Sequence, residues 1–118
     1  MSEFNLQRDT MNYLKGLEFD HDIFSFHIPN ESSRSKRRRI MASQGVRPGV
    51  ADICVLIPGK TIFLELKSPK GKQSDNQKWF QVVCNELGHG YHLFAPEHKL
   101  EIQYKIGQIL TKEGFKIK

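Results

Sequence analysis

Residues 52–67 have the sequence Asp52-Ile-Cys-Val-Leu-Ile-Pro-Gly-Lys-Thr-Ile-Phe-Leu-Glu-Leu-Lys67, in which two apolar runs flank Pro58-Gly59. Pro-Gly is a strong tight-turn signal, so we expect the runs to pair as a β-hairpin of strands 52–57 and 60–67. An acid opens the first run, and an acid and a lysine interrupt the second. Burying an unpaired charge is costly, so these charges need a partner, a metal ion or access to solvent.

The segments on either side of the hairpin predict an α/β fold. The first helix is expected to begin with Ser2 as its N-cap, and Ser74-Asp-Asn-Gln77 forms a capping-box pattern for a later helix that Gly88 ends. The remaining patterns predict, in order, helix 2–17, strand 22–28, a short helix within 35–43, helix 74–88, strand 91–95 and a last helix from Pro96 through Ile109. This order predicts an α/β sandwich, with a mixed central sheet flanked by helices on both faces.

Length and composition favour one intracellular domain that spans residues 1–118. No uninterrupted apolar run approaches the roughly 20 residues of a membrane span, and the N-terminus lacks the basic and apolar stretches of a secretory signal. Cys54 and Cys84 fall within apolar patterns, so we expect buried thiols in a reducing compartment.

The net charge of +5 is unevenly distributed along the chain. One basic group precedes the hairpin and another follows it: Arg34, Lys36, Arg37, Arg38, Arg39 and Arg47, then Lys67, Lys70, Lys72 and Lys78. Clustered positive charge favours a polyanion partner, most commonly nucleic acid. The alternatives are a solvated basic surface and a targeting signal at residues 36–39.

The acids of the hairpin form a candidate metal site. Asp52 and Glu65 are expected to be staggered neighbours near one end of the sheet, where their carboxylates could share Mg²⁺, an ion that prefers oxygen ligands. The backbone carbonyl of Leu66 could add a third oxygen, and Lys67, on the same strand face as Glu65 and Phe63, could hold a phosphate or orient a water. The alternative is an ordinary ion pair on a solvent-facing strand.

Three linked motifs resemble a known nuclease family. Gly45-Val-Arg-Pro-Gly-Val-Ala-Asp52, Leu64-Glu-Leu-Lys-Ser-Pro-Lys-Gly71 and Ser74-x-x-Gln77 are similar to the VRR-NUC domain, the virus-type replication–repair nuclease branch of the PD-(D/E)XK superfamily. The resemblance covers the chain from the first helix to about Tyr104. It implies a restriction-endonuclease-like fold and a stand-alone domain of the phage or bacterial type, which would act in the cytoplasm of a bacterial or phage-infected cell.

The resemblance also implies an activity and a set of site residues. It implies a nuclease dependent on Mg²⁺ or Mn²⁺, with Asp52, Glu65 and Lys67 in the catalytic positions and an acid from the first helix, best matched by Glu3. Gln77 is implied as a further site residue, although capping of its own helix is an alternative role. Two positions depart from the family pattern, because Ala51 stands where Pro is usual and Gln44 where Lys is often found.

The basic residues from Arg34 to Arg47, with Lys70 and Lys72, are expected to contact the DNA backbone without reading sequence. Stand-alone members of the family are similar to Holliday-junction resolvases, so the resemblance implies branched DNA and a homodimer, in DNA replication, recombination or repair. Trp79, Phe80 and Tyr104 are candidates for the dimer surface, with core packing as the alternative for each.

Other functions remain open on the sequence alone. The chain could be a non-catalytic nucleic-acid-binding module, or a nuclease that acts on flaps, single strands or RNA. His89, His92 and the His21-Asp22 pair could instead form a transition-metal site, although their spacing matches no common zinc pattern.

Overall fold

The computed structural model describes residues 5–29, 44–45 and 47–118, so the helix expected within 35–43 lies outside the described residues. The described elements are α1 (Leu6–Leu17), β1 (Phe24–His27), β2 (Ile53–Ile57), β3 (Lys60–Leu66), α2 (Asp75–Leu87), β4 (Gly90–Phe94) and α3 (Leu100–Lys112). These elements form a mixed sheet with helices on both faces, which confirms the predicted α/β sandwich.

The sheet has the strand order β1-β2-β3-β4. The pairs β1–β2 and β2–β3 are antiparallel, whereas β3 and β4 are parallel and are connected through α2. The predicted hairpin is confirmed, because Ile57 pairs with Lys60 across the Pro58-Gly59 turn and Gly59 has the positive φ of 74° that such a turn requires. One end of the sheet therefore holds the start of β2 and the ends of β3 and β4.

Each face of the sheet has its own helical layer. The larger core lies between one face and the helices α1 and α3, and its fully buried members include Leu14, Ile53, Ile62, Leu64 and Ile106. The smaller core lies under α2, where Cys84 and Phe80 pack with Tyr91 and Phe63. The described helices have 12 or 13 residues, and none is long and apolar enough to cross a membrane.

Several predicted boundaries are wrong by a few residues. The first helix begins at Leu6 rather than near Ser2, because the extended Asn5 accepts the backbone N–H of Arg8 and serves as the N-cap. The last helix begins at Leu100, four residues after Pro96, and continues to Lys112. The outer strands are also shorter or shifted, with β1 at 24–27 and β4 at 90–94.

The start and end of α2 agree with the capping signals. Ser74 accepts the backbone N–H of Gln77, and the Gln77 side chain accepts the backbone N–H of Ser74, so both halves of the capping box are present. Gly88 ends the helix in the left-handed conformation, with a φ of 85°. The position and orientation of Gln77 are thus fixed by local hydrogen bonds.

At the sheet end opposite Asp52, a three-residue ion cluster joins the C-terminal end of α3 to the sheet. The carboxylate of Glu113 lies 2.7 Å from Lys60 Nζ and also bonds Nε2 of His92. Burial acts to raise the pKa of Glu113, but the hydrogen bonds and charges of Lys60 and His92 outweigh it and hold that pKa below its ordinary value. The ionised form of Glu113 therefore stabilises the folded state.

We expect Glu113→Gln to lower the free energy of unfolding at pH 7 by about 1.5–3 kcal/mol, the range for a hydrogen bond to a charged group. Because the folded pKa is depressed, the contribution is present above the unfolded pKa, about 4.5, and is lost as the pH falls through the folded pKa. Urea unfolding of the variant and the wild type should therefore differ at pH 7 and converge at acidic pH. An equal difference at both pH values would contradict the assignment.

Candidate active site

The two predicted acids meet at one end of the hairpin. Asp52 directly precedes β2 and Glu65 is the penultimate residue of β3, one residue beyond the Ile53–Leu64 pair. The backbone N–H of Asp52 donates to the Leu64 carbonyl at 3.1 Å, and its Oδ2 accepts the backbone N–H of Leu66 at 2.8 Å. These two hydrogen bonds hold the backbone and the side chain of Asp52 beside Glu65.

The alternation predicted for β3 is confirmed. Ile62, Leu64 and Leu66 belong to the core under α1 and α3, whereas Phe63 faces α2. Glu65 shares the α2 face, since its side chain contacts Gln77. The backbone N–H of Lys67 donates to the Phe94 carbonyl, and this half-buried lysine lies close enough to act on the charge of Glu65.

Glu65 is the most unusual ionisable group among the described residues, with only 2% of its surface exposed. Its Oε2 accepts a hydrogen bond from Gln77 Nε2 at 3.0 Å, while its Oε1 is buried without a hydrogen-bond partner. Burial and the adjacent Asp52 carboxyl raise the pKa of Glu65 to about 8, and the charge of Lys67 opposes this only in part. The Glu65 carboxyl is therefore held beside a second acid, in surroundings that disfavour its negative charge.

Gln77 has both of the roles that the sequence allowed. Its Oε1 accepts the backbone N–H of Ser74 and closes the capping box, and its Nε2 donates to Glu65. The orientation of the amide follows from these partners, because a backbone N–H can only donate. The first turn of α2 is therefore part of the site.

Contacts that the sequence did not predict support the acids. His27 Nδ1 lies 2.9 Å from the Asp52 carbonyl and must donate to it, since a carbonyl oxygen only accepts. Gly49, with a φ of 86°, lies so close to Asn76 that an added Cβ would come within 2.5 Å of the Asn76 backbone. The backbone turn that precedes Asp52 is thus packed directly against the start of α2.

A second hydrogen-bond network lies beside the acids. Gln73 Nε2 donates to Gln81 Oε1 at 3.0 Å and to the Tyr91 hydroxyl at 3.1 Å. Burial raises the pKa of Tyr91 to about 12, so its hydroxyl stays protonated at neutral pH. This network ties the loop after Lys67 to α2 and β4, and no spacing in the sequence indicated it.

The basic residues divide into described and undescribed groups. Arg47, Lys70 and Lys72 are exposed. Their segments precede β2 and follow β3, at the end of the sheet where Asp52 and Glu65 lie. Glu3, Arg34, Lys36, Arg37, Arg38 and Arg39 lie outside the described residues.

The aromatic residues named as dimer candidates do not share one environment. Phe80 packs into the smaller core, where its ring meets Phe63 edge-on at 5.1 Å. Trp79 and Tyr104 are 62% and 67% exposed, so the core-packing alternative is wrong for both. Cys54 and Cys84 are buried free thiols, as predicted.

The ionisable side chains near the acids determine which divalent ions the site could hold. Over residues 5–29, 44–45 and 47–118 no group of three or more His, Cys, Asp or Glu side chains is placed to hold a metal, and His92 is instead bonded to Glu113. Zinc-type sites need such a group, whereas Mg²⁺ is commonly bound by one or two carboxylates with water and substrate phosphate. The adjacent carboxyls and the unpartnered Oε1 of Glu65 offer oxygen ligands of the kind that Mg²⁺ or Mn²⁺ takes.

Comparisons of the chain with protein-family models, curated proteins and solved structures found no match.

Proposed function

We propose that this protein is a metal-dependent DNA endonuclease of the PD-(D/E)XK type, related to the VRR-NUC domain. The observation that carries the proposal is the carboxyl pair at a strand end, where buried Glu65 lies against half-buried Asp52, beside Lys67 and Gln77. Burying the Glu65 carboxyl beside a second acid gains the fold no stability, so a pair of this kind favours a cation-dependent function. The short motifs around these residues supply the independent sequence support.

Each side chain of the site has a distinct role in this proposal. Asp52 and Glu65, with the Leu66 carbonyl, would hold Mg²⁺ or Mn²⁺, and Gln77 holds Glu65 in place through Oε2. The ion, when bound, supplies a lowered pKa for a coordinated water and polarisation of the phosphate. Lys67 would contact the scissile phosphate and offset its charge.

The substrate in this proposal is DNA, held by its backbone. Exposed Arg47, Lys70 and Lys72 flank the acids, and such residues neutralise phosphates without reading bases. Branched DNA, a homodimer and a role in replication, recombination or repair rest on the family resemblance alone. The dimer would bring two such sites to two strands.

Asp52→Asn is the direct test, because the amide keeps an oxygen that can accept the Leu66 N–H but lacks the charge of a metal ligand. We expect cleavage of supercoiled and branched DNA in Mg²⁺ to fall about a thousand-fold, the kinetic equivalent of the several kcal/mol that a catalytic ion supplies. EDTA should abolish wild-type cleavage. Glu86→Gln, which removes an exposed acid from α2, is the matched control and should cleave normally.

Full activity of Asp52→Asn would refute the assignment of the site. A different result would favour the non-catalytic alternative: salt-sensitive DNA binding by the wild type, with no product in either Mg²⁺ or Mn²⁺. Labelled flaps, single strands and RNA at equal concentration would detect a nuclease with another substrate.

A further inference from the structure

Two phenylalanine rings are exposed on the sheet face that carries the acids. Phe24 and Phe26 of β1 are 56% and 41% exposed, and their ring centroids are 6.2 Å apart with the planes tilted by 47°. Leu56, which pairs with Phe24 on the adjacent strand, is 39% exposed. A cluster of exposed apolar side chains on one face is a common mark of a binding surface.

This surface, defined as Phe24, Phe26 and Leu56, lies on the same face of the sheet as the candidate active site. Phe26 pairs with Cys54, and Ile28, two residues further along, donates its backbone N–H to the Asp52 carbonyl at 2.7 Å. Because side chains two apart on a strand share a face, the rings stand about 7 and 14 Å along the chain from the level of Asp52. A ligand chain could therefore run from the acids along β1.

The helix layer on this face leaves the surface open. α2 covers the β3 and β4 half of the face, where Phe80 meets Phe63 at 5.1 Å and Tyr91 at 6.0 Å. Over residues 5–29, 44–45 and 47–118, no element of the structure buries the rings of Phe24 and Phe26 in the same way. β1 is also the outer strand of the described sheet, and none of the described strands pairs with its outer side.

The charge of the chain indicates what occupies the surface. The net charge is +5, and Arg47, Lys67, Lys70 and Lys72 belong to the segments at the acids' end of the sheet. A polyanion that also presents flat apolar faces matches a basic site continued by exposed rings, and unpaired nucleic acid has both properties. Paired DNA shows its bases only at their edges and offers no face for stacking.

We propose that the surface of Phe24, Phe26 and Leu56 stacks unpaired bases, so that the substrate carries a single-stranded segment next to the scissile phosphate. The proposal rests on the nuclease function proposed above and specifies its substrate class. Phe26, nearer to Asp52, contacts the base closer to the cleaved bond, and Phe24 contacts the next base outward. Backbone contacts supply affinity, and the rings supply the preference for unpaired over paired DNA.

Binding without cleavage tests the proposal. Fluorescence anisotropy in EDTA would compare oligo-dT with an abasic strand of equal length, which has the same phosphates but no bases. We expect the wild type to prefer oligo-dT by about ten-fold or more, the effect of stacking one or two bases on aromatic rings. Phe24→Leu with Phe26→Leu should reduce the preference to less than about two-fold, because leucine keeps the apolar volume but not the π face.

Two control variants distinguish a loss of base stacking from a general loss of folding or binding. Phe24→Tyr with Phe26→Tyr keeps both rings and should keep the preference for bases. Phe19→Leu removes a ring that is 92% exposed in the turn between α1 and β1, outside the surface, and should change nothing. Since Phe24 and Phe26 lie outside both cores and keep an apolar side chain in every variant, we expect all variants to melt near the wild-type temperature.

Three results would overturn the proposal. One is equal wild-type affinity for oligo-dT and the abasic strand, and another is retention of the preference by the leucine variant. The third is a leucine variant that changes from dimer to monomer in sedimentation, which would assign the surface to a second copy of the chain. Failure of the nuclease proposal would be visible separately, as absence of Mg²⁺-dependent product, because the binding measurements contain no metal.

Discussion

Glu65→Gln is expected to abolish Mg²⁺-dependent DNA cleavage and, at the same time, to raise the melting temperature of the metal-free protein at alkaline pH. The loss of cleavage follows from removing one of two carboxylates that would hold the ion, and we expect a loss of about a thousand-fold. The gain in stability follows from the surroundings of the acid. Its Oε1 is buried without a partner, and its neighbour Asp52 is also an acid.

The raised pKa of Glu65 determines at which pH the variant is more stable than the wild type. Because the folded pKa of Glu65 is raised from 4.5 to about 8, the protonated form of Glu65 contributes its full stability to the fold below pH 4.5. That contribution is lost as the pH rises through 8. The neutral amide that Glu65→Gln introduces does not ionise, so the variant keeps that contribution. At pH 9 we expect it to be more stable by at least about 1 kcal/mol, or roughly 4 °C in melting temperature.

Thermal melts in EDTA at pH 4 and pH 9 would test the predicted gain in stability, and a cleavage assay in Mg²⁺ would test the predicted loss of activity. The two proteins should melt alike at pH 4 and diverge at pH 9. Glu86→Gln, at an exposed position of α2, should alter neither property and serves as the control. A variant that melts below the wild type at pH 9 would show that Glu65 stabilises the fold, which the proposed site does not allow.

Gly49→Ala is expected to damage both the stability and the activity of the protein. The new Cβ would lie 2.5 Å from the backbone of Asn76, and the φ of 86° is itself unfavourable for alanine. Backbone cannot move aside as a flexible side chain can, so the turn before Asp52 and the start of α2 must separate. We expect a loss of about 2–4 kcal/mol in unfolding free energy, from overpacking and backbone strain together.

The loss of activity should exceed what unfolding alone explains, because Asn76 adjoins Gln77 and Gly49 lies three residues before Asp52. Gly59→Ala is the matched control, since Gly59 has a similar φ of 74° but nothing within 4 Å of its Cβ position. It should cost only the strain, about 1 kcal/mol, and should leave cleavage of folded protein unchanged. Equal unfolding free energies for the two variants, measured in urea, would contradict the close contact at Gly49.

The parts of the site that the sequence predicted depend on local signals. The turn at Pro58-Gly59 and the alternation of β3 were sufficient to place Asp52 beside Glu65 and to assign Glu65 and Phe63 to one face. The capping box predicted the start of α2 and, with it, the position of Gln77. Each of these signals acts over a few residues, so each can be recognised in a single sequence.

The features that the sequence does not predict depend on contacts between distant segments, or on a choice between two equally good local signals. Nothing near His27 indicates its bond to the Asp52 carbonyl, and Gly49 gives no sign that Asn76 is its neighbour. The predicted start of α1 is wrong because serine and asparagine are equally good N-caps, and the helix begins after Asn5. Apolar periodicity does not distinguish a buried position from the exposed one that Trp79 occupies.

The spacing of the site along the chain has a consequence for the order of folding. Asp52 bonds Leu66 over 14 positions and Glu65 bonds Gln77 over 12, whereas His27 bonds Asp52 over 25. Contacts over shorter separations close smaller loops and form faster, so we expect the hairpin and the start of α2 to assemble before β1 joins the sheet. Native-state hydrogen exchange should then find β1 opening at a lower free energy than β2 and β3, with the pair of acids still in place.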